Sequence, residues 1–219
     1  MDEVRLVIES KLKVSAHAIA GKSSGGFDSF RLAARHPEIW QAAADHSGDS
    51  YFEYCYLPDF PKTAAILKNH GGFDKFWDAF QKAPRKMEHE WLVALDIVCM
   101  AACYSPNPQS PLGFDWPMDL ETGELNTEVF GRWLTFDPVR MAPKYADNLK
   151  KLKLLFIDCG EKDEFNLQWG SRILSKTLKN LGVPHETEFF DHGQMGTPER
   201  YAVPFPHCHT TTTSRAAWA

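Results

Sequence analysis

The sequence of 219 residues contains no Cys-x-x-Cys pair, no excess of basic residues and no long apolar run. No stretch approaches the roughly 18 to 20 apolar residues that a membrane-spanning helix needs. The net charge of −5 leaves no basic footprint for nucleic acid or for acidic membrane surfaces. These absences argue against nucleic-acid and membrane partners. We expect a small neutral or amphiphilic molecule to bind instead.

The cysteines are odd in number, and their spacing favours reduced thiols in the core of a cytoplasmic protein. They are Cys55, Cys99, Cys103, Cys159 and Cys208. Cys99 and Cys103 share a helix face, a spacing that could hold a metal, but no second pair lies nearby and core packing is favoured. The start of the chain also lacks the basic-then-apolar order of a signal peptide, which supports a cytoplasmic location.

The most informative motif is Gly-x-Ser-x-Gly at residues 21–25, which follows the apolar stretch 18–20 and leads into a helical pattern. This order predicts a nucleophile elbow, in which a strand turns sharply into a helix and presents a serine above the sheet edge. We expect a Cβ at either glycine to clash, because strand and helix approach closely there. Ser23 is the predicted nucleophile.

The same residues partly match a phosphate-binding loop, G-x-x-x-x-G-K-[ST], through Gly21, Lys22 and Ser23. The first glycine of that loop would have to stand at position 16, where the chain has Ala16. Without it the loop loses a backbone position that allows close approach to phosphate. The elbow is therefore favoured over the phosphate loop and over a coincidental turn.

Hydrophobic periodicity predicts strands that alternate with helices, which implies a parallel α/β sheet with its chemistry at the C-terminal ends of the strands. The predicted helices are 4–13, 24–36 and 168–181, and the predicted strands are 16–20, 39–44, 152–158 and 185–190.

Between residues 50 and 150 the pattern changes to helices and loops, with two apolar stripes at helical spacing that predict core-facing helices. The stripes are Phe73, Phe76, Trp77 and Phe80, and Met87, Trp91, Leu95, Val98 and Ala102. Residues 104–117 carry four prolines and predict an irregular loop. An insertion of this kind between sheet strands predicts a cap over a substrate pocket. The predicted segments are residues 1–49 and 151–203 as the core, 50–150 as the cap and 204–219 as a disordered tail.

Three residues fit the needs of acyl transfer by a serine, which requires a base and an acid that orients the base. Ser23, Asp163 and His192 each follow a predicted strand and stand in the chain order of α/β-hydrolases. Asp158 and Glu164 compete with Asp163 for the role of the acid. A helix-capping or surface role is the alternative for Asp163 itself.

Four segments together resemble the family of α/β-hydrolases described as "Putative esterase", whose relatives include enterochelin-esterase-like and esterase-D-like enzymes. They are residues 21–27, 48–53, 102–108 and 156–167. The resemblance extends from about Ala18 to Tyr201. It implies an α/β-hydrolase-type, mostly parallel sheet with a helical cap insertion. It also implies a carboxylic-ester hydrolase that works through an acyl-enzyme intermediate, with Ser23 as nucleophile, Asp163 as acid and no metal or organic cofactor.

The sequence departs from that family at the general base. Family members carry a Gly-His-Met-like ending after the last strand, and Gln194 stands here at the position of the His. An amide has no nitrogen that accepts a proton near neutrality, so Gln194 cannot act as the base. His192, two residues away, is the candidate base, with a surface or loop role as its alternative. For His46, which follows the second strand, loop structure is favoured over a place at the pocket rim.

Both ends of the chain also differ from the family. A longer segment precedes the elbow in family members, so we expect N-terminal strands to be missing, with an open sheet edge that favours aggregation or a homo-oligomer. The oxyanion would then depend on the N–H of Ser24, and a lost second donor is worth about 2.7–4 kcal/mol. In the altered tail, His207, Cys208 and His209 could suggest a metal site, but disorder is favoured.

Two hypotheses follow from these departures. The first is an esterase that is weak because its base and oxyanion loop are altered or absent. The second is a catalytically inactive, hydrolase-like fragment that acts as a binding module.

Overall fold

The computed structural model describes residues 2–84, 89–195 and 197–204. The chain divides into two compact units, Met1–Ser50 with Met141–Ala219, and Tyr51–Arg140. The described α-helices are α1 (Asp2–Lys11), α2 (Ser24–Arg35), α3 (Phe52–Cys55), α4 (Phe60–Asn69), α5 (Phe73–Lys82), α6 (His89–Tyr104), α7 (Thr127–Leu134), α8 (Pro138–Leu149) and α9 (Leu167–Asn180). The strands are β1 (Ala18–Lys22), β2 (Ala42–His46), β3 (Leu154–Gly160) and β4 (Glu186–Phe190). Short 3₁₀ helices span Leu57–Asp59 and Pro198–Ala202.

The first unit contains a four-stranded parallel sheet in the order β1-β2-β3-β4. Every residue of β2 and β3 is buried, as continuous apolar runs in a parallel sheet require. Helix α2 packs against β1 and β2, and α9 packs against β3. The parallel α/β architecture predicted from the sequence is therefore confirmed. Every helix in the described ranges is too short or too polar to span a bilayer.

The first three strands begin and end about two residues later than the sequence pattern predicts. Strand β2, for example, is Ala42–His46 instead of 39–44, and β3 is Leu154–Gly160 instead of 152–158. In each of these strands the apolar residues begin before the first residue that pairs with a neighbouring strand. The polar residues that follow the apolar run still pair with that strand. His46 and Asp158 are register partners in the ladder between β2 and β3, so His46 belongs to a strand and not to the loop predicted for it.

In the second unit, two predictions about helix faces are wrong. Cys99 and Cys103 share a face of α6 as predicted, but both are exposed instead of lying in the core. The buried side of α6 carries Trp91, Ala94 and Ala101, so the cysteines lie on the solvent side. Two members of the predicted stripes, Trp77 and Ala102, are likewise exposed. Met87 of the second predicted stripe and Cys208 of the altered tail lie outside the described residues.

The core of the second unit is aromatic, and a buried hydrogen bond orients its largest side chain. The fully buried Trp133 of α7 meets Phe60 and Tyr104 edge to face at ring-centroid distances of 5.5 and 5.6 Å. Its indole Nε1–H donates to the hydroxyl of Ser105 at 2.9 Å. A buried indole donor needs such a partner, so Ser105 fixes the orientation of the largest side chain in this core.

Candidate active site

Ser23 occupies the sharp turn between β1 and α2. It is the single residue between the two elements, it has φ 58° and ψ −129°, and it is partly exposed. A positive φ is unfavourable for a residue with a Cβ, and such strain is common at functional sites. Two backbone hydrogen bonds hold the turn, from Ser23 N–H to the His46 carbonyl at 2.9 Å and from Phe27 N–H to the Ser23 carbonyl at 3.0 Å. The Ser24 N–H, at the first turn of α2, has no intrahelical partner and can donate to an oxyanion.

The turn requires glycine at position 21 and not at position 25. A Cβ at Gly21 would overlap the carbonyl group of Gly25, as the close approach of strand and helix demands. A Cβ at Gly25 would meet nothing within 4 Å, so the expectation of a clash there is wrong. The second crowded position is Gly26, whose Cβ would lie 2.5 Å from an Asp45 carboxylate oxygen and 3.1 Å from the His46 carbonyl.

Replacing Gly21 with alanine should therefore destabilise the protein, whereas the same change at Gly25 should not. We expect Gly21→Ala to lower the free energy of unfolding by about 1–3 kcal/mol, because the added methyl group meets backbone atoms that cannot move independently. Gly25→Ala should change it by less than about 0.5 kcal/mol or raise it, since alanine favours helix. Urea unfolding of both variants measures this, and equal effects would contradict the assigned approach of β1 and α2.

Asp163 lies in the loop after β3, where an acid of this fold class would stand. Its side chain is buried, and Oδ1 accepts hydrogen bonds from the N–H groups of Phe165 at 2.9 Å and Leu167 at 3.4 Å. Burial raises the pKa of Asp163 to about 6, against the opposing effect of these two donors. The carboxylate therefore stabilises the start of α9, which is the capping role considered as its alternative. The two roles are compatible, because both backbone hydrogen bonds go to Oδ1, whereas Oδ2 lies 3.9 Å from the Cys159 thiol.

The structure does not join His192 to the other two predicted site residues. The imidazole is exposed, and its Nδ1 lies 3.3 Å from the Gly193 carbonyl oxygen. In the described ranges no hydrogen bond links His192 to Ser23 or Asp163. Gln194, by contrast, is 3% exposed, and neither atom of its amide group has a partner among the described residues. Gln194, the position where the resemblance places the base, is thus buried, whereas His192 is exposed.

A buried network that sequence reasoning missed lies at the C-terminal ends of β2, β3 and β4. Nδ1 of His46 donates to Oδ1 of Asp158 at 2.8 Å, and both side chains are almost fully buried. Oδ2 of Asp158 accepts hydrogen bonds from the Nε and a terminal nitrogen of Arg200 at 2.9 and 2.8 Å. Arg200 also reaches Glu188 at 2.8 Å and lies over the ring of Phe190, 4.3 Å from its centroid. Asp158, a rival of Asp163 in the sequence analysis, is therefore the buried centre of a network that includes His46 and Arg200.

Glu164, the other rival of Asp163, is exposed and accepts a hydrogen bond from the backbone N–H of Gln194 at 2.7 Å. It ties the loop after β3 to the loop after β4. Among the described residues, no three His, Cys, Asp or Glu side chains come together in a way that could hold a metal ion. The tail residues His207, Cys208 and His209 lie outside that range.

Asp45 is a buried carboxyl group on the opposite face of β2 from His46. It is 2% exposed, and its Oδ1 has no hydrogen-bond partner among the described residues. Burial raises the pKa of Asp45 to about 8; the charges of Asp158 and Asp49 act in the same direction, and the Gly48 N–H opposes them. Asp45 therefore stays protonated at neutral pH, next to the crowded glycines that support the elbow.

This raised pKa predicts a pH-dependent stability. The folded state holds a proton on Asp45 that the unfolded state releases above 3.8, so the stabilisation is complete below that pH and is lost as pH rises to about 8. The corresponding contribution of Asp163 to the free energy of unfolding is lost as pH rises to about 6. Between pH 6 and 8 we therefore expect the unfolding free energy to fall by on the order of 1 kcal/mol per pH unit, and Asp45→Asn to flatten this slope.

Urea unfolding at pH 6, 7 and 8 measures the slope. Asp147→Asn is the matched control, since its side chain is 97% exposed. It should leave the slope of the wild-type protein unchanged. Parallel slopes for the wild type and Asp45→Asn would show that Asp45 ionises in the folded protein much as it does in the unfolded chain.

The profile of the family described as "Putative esterase" matches residues 2–197 of this chain. No curated protein sequence matches it. Similar solved structures include a ferulic acid esterase, with 17% identity, a TM-score of 0.49 and coverage of 97% of this chain and 58% of that chain. The S-formylglutathione hydrolase of Staphylococcus aureus is 13% identical, with a TM-score of 0.50 and coverage of 95% of this chain and 61% of that chain. An acylaminoacyl peptidase of Pyrococcus horikoshii is 13% identical, with a TM-score of 0.50 and coverage of 96% of this chain and 26% of that chain.

The chain thus spans less than two thirds of the length of each of these proteins. At such low identities, the two structures with a TM-score of 0.50 show a shared fold and nothing finer.

Proposed function

This chain belongs to the "Putative esterase" family, and from that membership we propose that it hydrolyses carboxylic esters through an acyl-enzyme intermediate on Ser23. The observation that carries the proposal is the backbone of Ser23, at φ 58° between β1 and α2 and partly exposed. A serine held in this way can be approached by a base and by a substrate carbonyl. The net charge of −5 and the free cysteines support a cytoplasmic enzyme for a small-molecule ester.

In the proposed reaction the Ser23 hydroxyl oxygen attacks the ester carbonyl and loses its proton to His192. The negative charge on the former carbonyl oxygen is stabilised by the Ser24 N–H. The carbon–oxygen bond to the alcohol then breaks, and the alcohol leaves with the proton from His192. Water, deprotonated by the same imidazole, attacks the acyl group and releases the acid together with free Ser23. Asp163 orients the imidazole, as the acid does in related triads.

This scheme needs His192 to turn inward from the exposed position that it has here. Catalytic hydrogen bonds are often absent or long until substrate binds, so the observed geometry is compatible with the proposal. The same exposed position favours the second candidate function, a hydrolase-like module that binds without turnover. The two differ in whether Ser23 becomes acylated.

Replacing Ser23 with alanine should abolish the reaction. With p-nitrophenyl acetate we expect wild-type protein to release a burst of nitrophenol close to one equivalent, followed by slower turnover. Ser23→Ala should remove the burst and lower turnover by about 10³-fold or to the uncatalysed rate. Ser10→Ala, on the exposed side of α1, should keep both. Turnover that survives Ser23→Ala unchanged would remove the esterase proposal.

Two substitutions in the loop after β4 test the base. If His192 accepts the proton, His192→Ala should lower kcat by about 10²- to 10⁴-fold. Gln194→His should raise kcat, because it places an imidazole at the buried position, and the gain should appear as pH rises through about 6.5. Gln194→Asn keeps an amide and serves as control.

Full turnover in His192→Ala would exclude His192 as base. No gain in Gln194→His at any pH between 5 and 8 would show that the alignment of position 194 with the family's base is wrong.

A further inference from the structure

The turn at Ser23 is strained and needs support from its neighbours. A non-glycine residue at positive φ is strained and persists only where the surroundings over-determine it. A backbone hydrogen bond ties Ser23 to the adjacent strand, from its N–H to the carbonyl of His46. The position of this carbonyl therefore sets the position of the elbow relative to the sheet.

The carbonyl of His46 is itself fixed through Asp158. The imidazole of His46 donates to the Asp158 carboxylate, and the next residue, Ser47, donates its N–H to the Asp158 carbonyl at 2.7 Å. Because the peptide group between His46 and Ser47 is planar, contacts on both sides of it restrict its rotation. Asp158 thus holds the peptide that supports the elbow, through its side chain and its backbone.

Arg200 in turn holds Asp158. The carboxylate is fully buried, and an ionised carboxylate in that place needs a cation and satisfied oxygens. Arg200 supplies two hydrogen bonds to Oδ2, while His46 occupies Oδ1. Without the guanidinium, Oδ2 would lose these two hydrogen bonds, and the carboxylate would turn toward water or another donor, which would alter its bond to His46.

We propose that Arg200, acting through Asp158 and His46, is a positioning residue for the Ser23 elbow. Its effect on turnover rests on the proposed function, because the group it positions is the proposed nucleophile. Its effect on the elbow does not, because the hydrogen bond between Ser23 and His46 exists in the absence of substrate. Arg200 follows the loop that carries His192 and Gln194, so the same contact also ties that loop to the sheet.

The test compares Arg200→Met with Arg172→Met. Arg172 is a matched control, since it pairs with Glu161 through two hydrogen bonds of 2.6 Å and lies over the ring of Phe189, 4.1 Å from its centroid. It has no contact with Asp158 or His46 among the described residues. Both substitutions remove a guanidinium stacked on a phenylalanine, but only one removes a partner of the buried carboxylate.

Hydrogen exchange of the peptide 18–27 reports on the Ser23 N–H without any need for activity. We expect exchange there to accelerate about tenfold or more in Arg200→Met and to stay unchanged in Arg172→Met, with peptides of α9 unaffected in the first variant. In turnover of p-nitrophenyl acetate, Arg200→Met should lower kcat about tenfold or more with KM within about twofold, since a small misplacement of a nucleophile is costly. Arg200→Lys keeps the charge and should recover part of the loss.

Unchanged exchange over residues 18–27 in Arg200→Met would overturn the proposal, whether or not the protein is active. If Arg200→Met does not fold, Arg200→Lys replaces it. This variant should then show faster exchange in the same peptide, and wild-type exchange in it would equally overturn the proposal. If turnover by the wild-type protein does not depend on Ser23, the proposed function is wrong. The hydrogen-exchange result alone then decides the role of Arg200.

Discussion

The close approach of β1 and α2 at Gly21 is the constraint on which the rest of the site depends. The turn between them is a single residue long, so Ser23 must take a positive φ and α2 must start against the strand. Two hydrogen bonds and two crowded glycines keep it there. This geometry puts the hydroxyl at the C-terminal edge of a parallel sheet, which is the edge where ligands bind in open α/β folds.

Carboxyl groups gather at that edge, and their surroundings give them different protonation behaviour. Burial raises the pKa of Asp45 to about 8 and that of Asp163 to about 6. Asp158, on the neighbouring strand β3, has Arg200 as its counter-ion. Burial thus raises the pKa of two of these carboxyl groups, whereas the third binds a cation.

The order of strands and helices and the position of the elbow could be predicted from the sequence, because apolar periodicity and glycine spacing are local signals. The link between His46 and Asp158 could not, since the two residues lie 112 positions apart and meet only through strand register. The need for glycine at 26 instead of 25 depends on where Asp45 points. The exposure of Cys99 depends on which side of α6 meets the core. Apolar residues lie on more than one side of this helix, so the sequence does not show which side is buried.

The most direct measurement of the central claim is reaction of the intact protein with a fluorophosphonate, followed by mass spectrometry of the whole chain and its peptides. Such reagents phosphonylate a serine only where its hydroxyl is exposed and its attack is supported. The account predicts one adduct per chain, located on Ser23 and absent from Ser23→Ala. An adduct of equal rate in Ser23→Ala, or the absence of any adduct on folded wild-type protein, would contradict it.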